Sequence, residues 1–81
     1  MEKTLEWIMD WFESNTEADR NELESNIDSN YFEKGYIDSF EFINLIGDIE
    51  DTFGVQFSND QFEDRTFSTI SGLARIIEAV K

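Results

Sequence analysis

The 81-residue chain contains no cysteine, no histidine and no proline. Without cysteine there is no disulfide framework, no thiolate metal site and no cysteine nucleophile, and without histidine most enzyme chemistries lose their usual base. No proline-marked boundary, internal repeat or low-complexity tract interrupts the chain, and its length suits one domain over residues 1–81 with a single core of three or four helices. Long uncharged apolar runs are missing too. Met1-Glu2-Lys3-Thr4 leads directly into an amphipathic pattern with acids inside it, so a soluble, cytoplasmic protein is expected. Basic residues are scarce, 6 against 19 acids, for a formal charge of −13. That balance repels nucleic-acid phosphates and anionic membranes and attracts basic protein surfaces.

What is present is enough for a core. Eight Phe and two Trp within a 40 % hydrophobic share favour folding despite 31 % charged residues. From Thr4 to about Ser14, Leu5, Ile8, Met9 and Phe12 recur at helical spacing, with Glu6, Asp10 and Glu13 opposite. Trp7 and Trp11 fall on the flank of this first helix and read as core packed under a long loop. Residues 15–37 form that loop, rich in Asn, Ser, Asp and Glu, with Leu23, Ile27, Tyr31, Phe32 and Ile37 as anchors. Connections beyond roughly 12 to 15 residues usually serve a function or hide a short helix, and Ala18–Ser25 is the segment able to supply one.

Asp38 opens the second helix with a capping box, accepting from the backbone N–H of Glu41 while Glu41 reaches back. Phe42, Leu45, Ile46, Ile49 and Phe53 share one arc of about 100°, and Glu41, Asn44, Asp48 and Asp51 line another. Gly54 offers the left-handed conformation that ends the helix. Val55-Gln56-Phe57 is too short for a strand. Ser58 and Gln61 make a second capping box for a short third helix carrying Phe62 and ending near Asp64 or Arg65. Ser68 or Thr69 caps a last helix with the stripe Ile70, Leu73, Ile76, Ile77 and Val80. The expected fold is all-α, a small four-helix bundle of three longer helices and a short third one, with the long loop between the first two. High like charge around so small a core predicts marginal stability at low ionic strength.

The hexapeptide Gly35-Tyr36-Ile37-Asp38-Ser39-Phe40 opens the most acidic of these helices. A serine there presents its hydroxyl beside unpaired backbone N–H groups and the positive end of the helix dipole, a place suited to holding a phosphodiester. Asp38 is the better cap, which leaves the Ser39 hydroxyl free. Phe40 projects near the anionic face and reads as a partner contact. Glu41, Asp48 and Asp51, with Glu50 on the flank, would meet Arg and Lys of partner enzymes and raise association rates more than affinity.

Over nearly its whole length this arrangement resembles the acyl carrier protein family. The resemblance centres on Asp38-Ser39-Phe40, with Gly35 before it, the acidic second helix ending in Phe53, the short helix with Phe62, and Thr69-Ile70 at the start of the last helix. It implies a free-standing, non-catalytic, monomeric carrier whose Ser39, presented by Asp38, bears 4′-phosphopantetheine transferred from coenzyme A by a Mg-dependent phosphopantetheinyl transferase. The arm would supply the thiol that the chain lacks, so that acyl groups ride as thioesters between enzymes of fatty-acid, polyketide or specialised biosynthesis. Phe40, Glu41, Asp48 and Asp51 would dock the transferase and later enzymes. Phe40 stands where Leu or Met is usual, Asn44 where an acid is frequent, and Gly47 where a larger apolar residue often lies. Gly47 would permit close approach by dedicated partners. The approach Phe32-Glu33-Lys34-Gly35 is closer to carriers of specialised pathways, D-alanyl carriers included, so an aminoacyl carrier is the alternative within the class.

Two rivals lie outside it. A calcium-binding helix-loop-helix protein fails on loop arithmetic, since counting from Asp48 or from Asp28 puts Phe53 or Glu33 where a glycine is required. No metal site is therefore expected, beyond weak and nonspecific divalent binding to acidic clusters. An acidic interaction module acting by its surface alone would work independently of Ser39. An enzyme is the class least supported, because the paired carboxylates lie on an exposed helix face without a second functional group.

Overall fold

Amphipathic periodicity and local capping account for most of the elements in the computed structural model, which describes residues 2–62 and 65–81. Helix α1 (Glu2–Asn15) buries Thr4, Ile8, Met9, Trp11 and Phe12 on one stripe, and the acids expected on its other side are exposed. The long connection does contain a helix, α2 (Arg20–Ser25). It begins at Arg20 and not Ala18 because Asp19 is its cap, accepting from the backbone N–H of Glu22 at 2.8 Å. Helix α3 (Ser39–Phe53) is the expected second helix. Asp38 and Glu41 complete the capping box, and Gly54 closes the helix at φ 67°, in the left-handed region that favours glycine. Helix α4 (Asn59–Phe62) is a single turn. Its expected end at Asp64 lies outside the described residues, and Arg65 instead belongs to a 3-10 turn over Arg65–Ser68. Thr69, of the two candidates, caps α5 (Ile70–Val80) by accepting from Gly72 N–H at 3.0 Å. The fold is all-α. Among the described residues no helix is long and apolar enough to cross a membrane.

The core lies where α1, α3 and α5 meet, with Ile8, Phe12, Leu45, Ile49, Leu73 and Ile77 fully buried. The connection does more than link helices. Leu23 and Tyr31 are buried as completely as any helical residue, with Ile37 close behind. Its backbone is stitched to the start of α5, Tyr31 N–H donating to Ser68 at 3.0 Å and Ser71 N–H donating to Ile27 at 2.9 Å. The Ser71 hydroxyl bonds Asp28, and at the other end of the bundle Thr4 donates to Glu78. Trp11 is core as expected and Trp7 packs half-buried against the core, with partners on α3 and α1 rather than beneath the loop. Trp7 meets Phe53 edge-on at 5.4 Å, Trp11 meets Phe12 at 5.6 Å, and the Trp11 indole N–H donates to Asp48 at 2.7 Å.

A run of aromatic rings fills the space beneath the first turn of α3. Phe12 and Tyr31 lie 5.4 Å apart, Tyr31 and Phe32 5.1 Å, Phe32 and Phe42 5.2 Å, and Phe42 and Phe67 5.8 Å. Phe57 and Phe62 close on Phe67 from the far side at 5.1 and 5.0 Å. The only polar atom carried into this web by a side chain named here is the Tyr31 hydroxyl, which donates to the Phe67 carbonyl.

Burial holds the Tyr31 phenol well above its ordinary pKa of about 10. A phenol with a raised folded-state pKa contributes stability that is intact below its ordinary value and is lost as the pH climbs past it. Wild-type protein should therefore lose melting temperature more steeply above about pH 10 than Tyr31→Phe does. At neutral pH the variant should be less stable by about 1–3 kcal/mol, because the buried Phe67 carbonyl loses its donor. Thermal melts followed by circular dichroism from pH 7 to 11 would show both effects.

Candidate phosphopantetheine attachment site

The approach to the site is a tight turn built by local polar chemistry. The Asn30 side-chain oxygen accepts from the N–H groups of Phe32 at 2.8 Å and Glu33 at 3.1 Å, and Gly35, at φ 75°, turns the chain back so that Tyr36 N–H reaches the Tyr31 carbonyl at 3.1 Å. Ile37 is buried and fastens the chain to the core immediately before Asp38. The Tyr36 phenol is held above its ordinary range by burial and by the carboxylates of Glu22 and Asp19, which brings the start of α2 near this turn.

At the start of α3 the capping box divides the labour. The Asp38 carboxylate accepts from Glu41 N–H at 2.8 Å, and the Glu41 carboxylate accepts from Asp38 N–H at 3.3 Å. Ser39 is the first helical residue, exposed, and its hydroxyl has no hydrogen-bond partner among the described residues. Among the described residues the N–H groups of Ser39 and Phe40 have no acceptor either, being first-turn donors beyond the reach of the cap. A tetrahedral phosphodiester on the Ser39 oxygen would find two backbone donors and the positive end of a 15-residue helix close at hand. The residues fit such a group, and Phe42 anchors the start of the helix that presents it on Phe32 and Phe67.

The chain matches the family described as "Phosphopantetheine attachment site" over residues 6–77. It belongs to that family. No curated protein and no solved structure matches the chain. Members of the phosphopantetheine-attachment family are carriers to which 4′-phosphopantetheine is covalently attached, and this chain is such a carrier. Carrier domains of the family are modified by phosphopantetheinyl transferases, interact with biosynthetic enzymes and are generally non-catalytic themselves.

The residues expected to surround the attachment point stand as follows. Phe40 projects into solvent at 78 % exposure, a large apolar ring beside the serine. Glu41 is half-buried and committed to the cap, and Asp48, though exposed, already accepts from Trp11. Asp51 is exposed and its carboxylate has no partner among the described residues, so it is the acid of the three most available to a partner's cation. Glu50 sits half-buried and takes a long bond from Phe57 N–H at 3.4 Å. Sequence reasoning missed Ile43, which is 69 % exposed. The signal was there: Ile43 lies about 100° from Phe42, outside the core arc and toward Gly47. Phe62, on α4, turns a third apolar surface outward.

Proposed function

We propose that Ser39 bears the 4′-phosphopantetheine arm and that the chain is a monomeric acyl carrier shuttling thioester-bound intermediates between cytoplasmic enzymes. The observation that carries this reading is the exposed, unpartnered Ser39 hydroxyl at the first position of α3, left free because Asp38 does the capping. On loading, the Ser39 oxygen bonds to phosphorus as the bond from phosphorus to the adenine nucleotide of coenzyme A breaks. The serine proton passes to a base of the transferase. The arm supplies a thiol that forms the thioester. Asp38 positions the serine by holding the first turn. Phe40, Glu41, Asp48 and Asp51 form the face that enzymes meet, with Asp51 the freest charge and Phe40 the largest apolar contact. The net charge of −13 disfavours association of two copies and favours cationic enzyme surfaces.

The absence of cysteine makes the test clean. After incubation with coenzyme A, Mg²⁺ and a broad-specificity phosphopantetheinyl transferase, followed by removal of small molecules, the denatured protein should titrate with one thiol per chain, from none before. A folded sample that gains no thiol with transferases of several sources would contradict this reading and leave an acidic interaction module in its place.

A further inference from the structure

Trp7 and Trp11 are the chain's two tryptophans, and they stand one helical turn apart on α1. With Asp10, Ser14 and Asn15 they line an open groove of about 320 Å³ along that helix. A tryptophan in a core usually gives its indole N–H to a partner, as Trp11 gives its own to Asp48. Trp7 does not. It is half-buried against Phe53, and its N–H has no hydrogen-bond partner among the described residues. No buried polar side-chain atom is left unbonded there, so this N–H opens to solvent. The groove is also anionic. Asp10 gives one carboxylate oxygen to Arg20 and Asp48 gives one to Trp11, so each keeps a second oxygen for another donor. Lys3, one turn before Trp7, lies outside the lining.

We propose that this groove receives an arginine side chain of a partner protein, which grips the carrier by α1 and leaves its attachment end open. The occupant follows from the chemistry of the lining. Two indoles beside two carboxylates select a cation, and a planar guanidinium suits them better than an ammonium, because it stacks on an aromatic ring while its fork of N–H groups donates to carboxylate oxygens. The net charge of −13 opposes a second copy of this chain as the occupant. Position keeps the site apart from the serine. Trp7 packs on Phe53, the last residue of α3, and Trp11 bonds Asp48, so the groove runs beside the far half of that helix, about 14 to 21 Å along its axis from Ser39. Asp48 also lies about 140° around α3 from the exposed Ile43, which sets the groove off from the outer apolar face.

The probes are the peptide acetyl-Gly-Arg-Arg-Gly-amide and its lysine counterpart, added at low salt to the unmodified, isotope-labelled chain and followed by nuclear magnetic resonance. The two tryptophans give two indole N–H signals. That of Trp7 should move saturably with the arginine peptide, with a Kd about fivefold or more below that for the lysine peptide, while the backbone signal of Ser39 holds still. Asp10→Asn, in which Arg20 keeps its pairing with Glu13, should raise that Kd about fivefold. Glu24→Gln, an equal change of charge at an exposed position of α2, should leave it within about 1.5-fold. No saturable shift, equal affinity for the two peptides, equal weakening by the two substitutions, or shifts that spread over Ser39 and Phe40 would overturn the proposal, the last three by showing attraction to bulk charge alone. So would a Trp7 signal that moves with the chain's own concentration, which would assign the groove to a second copy. An arginine-selective response in a chain that takes up no arm would support the groove and sink the Ser39 reading alone.

Discussion

Ser39→Ala should abolish attachment of the arm and leave the protein as stable as before. The two halves of that result come from the same local geometry. The Ser39 side chain is exposed and makes no hydrogen bond among the described residues, and the cap that starts α3 belongs to Asp38. Alanine is a better helix former than serine, so the change in stability should stay within about 0.5 kcal/mol, or a few degrees in melting temperature. The nucleophilic oxygen, by contrast, has no substitute: the neighbouring Asp38 and Glu41 carboxylates are tied to backbone N–H groups, and a side chain without an oxygen cannot form the phosphodiester. Thiol titration should fall from one per chain to zero. A melting temperature far below wild type would show that Ser39 has a structural role the geometry does not reveal, and residual thiol would place the arm elsewhere.

Gly72→Ala should be among the most damaging single substitutions in the fold, although it exchanges one small residue for another within a helix. A Cβ on Gly72 would lie 1.9 Å from the Thr66 carbonyl oxygen and 2.6 Å from its carbon. These are backbone atoms of the 3-10 turn, and they cannot swing aside as a flexible side chain would. Moving the turn also disturbs Phe67, to which Phe42, Phe57 and Phe62 pack, and the bonds that Tyr31 makes to Phe67 and Ser68. Overpacking of this kind costs about 3 kcal/mol or more, against roughly 1 kcal/mol gained in helix propensity. The net loss of about 2 kcal/mol or more should lower the melting temperature by roughly 10 °C. Wild-type stability in Gly72→Ala would contradict the close approach of α5 to the turn. The contrast with Gly47 is informative: both glycines sit in helices, yet a Cβ on Gly47 would meet nothing within 4 Å, so the same substitution should have opposite signs.

Much of the frame was legible because it is written in short-range chemistry. Asp38 with Glu41, Gly54, and Thr69 two residues before the Ser71-Gly72 pair are signals that act over one turn, and each marks an observed helix end. The apolar arcs of α1, α3 and α5 were equally plain, since periodicity needs no knowledge of what the face packs against. Helix α2 was half visible: Asp19 and Glu22 have capping spacing, but Leu23 is its only buried residue, so no periodicity announces it. The 3-10 turn had no local signature and depends on Phe67 finding its aromatic neighbours. The same holds for Trp11 with Asp48 and Tyr31 with Phe67, pairs made by tertiary packing over long sequence separations. At the candidate site the serine and its cap could be read directly. The apolar edge was half legible: Ile43 stands outside the core arc of α3, but Phe62 looks like a core residue until the neighbouring elements are in place and fail to cover it.

The central claim is that Ser39 is the attachment point, and the most direct measurement is intact and peptide-level mass spectrometry of the wild-type protein after incubation with transferase, coenzyme A and Mg²⁺. The account predicts a single added phosphopantetheine per chain, found only on the peptide that contains Ser39. An arm located on any other serine or threonine, or none on a folded protein offered to several transferases, would contradict it.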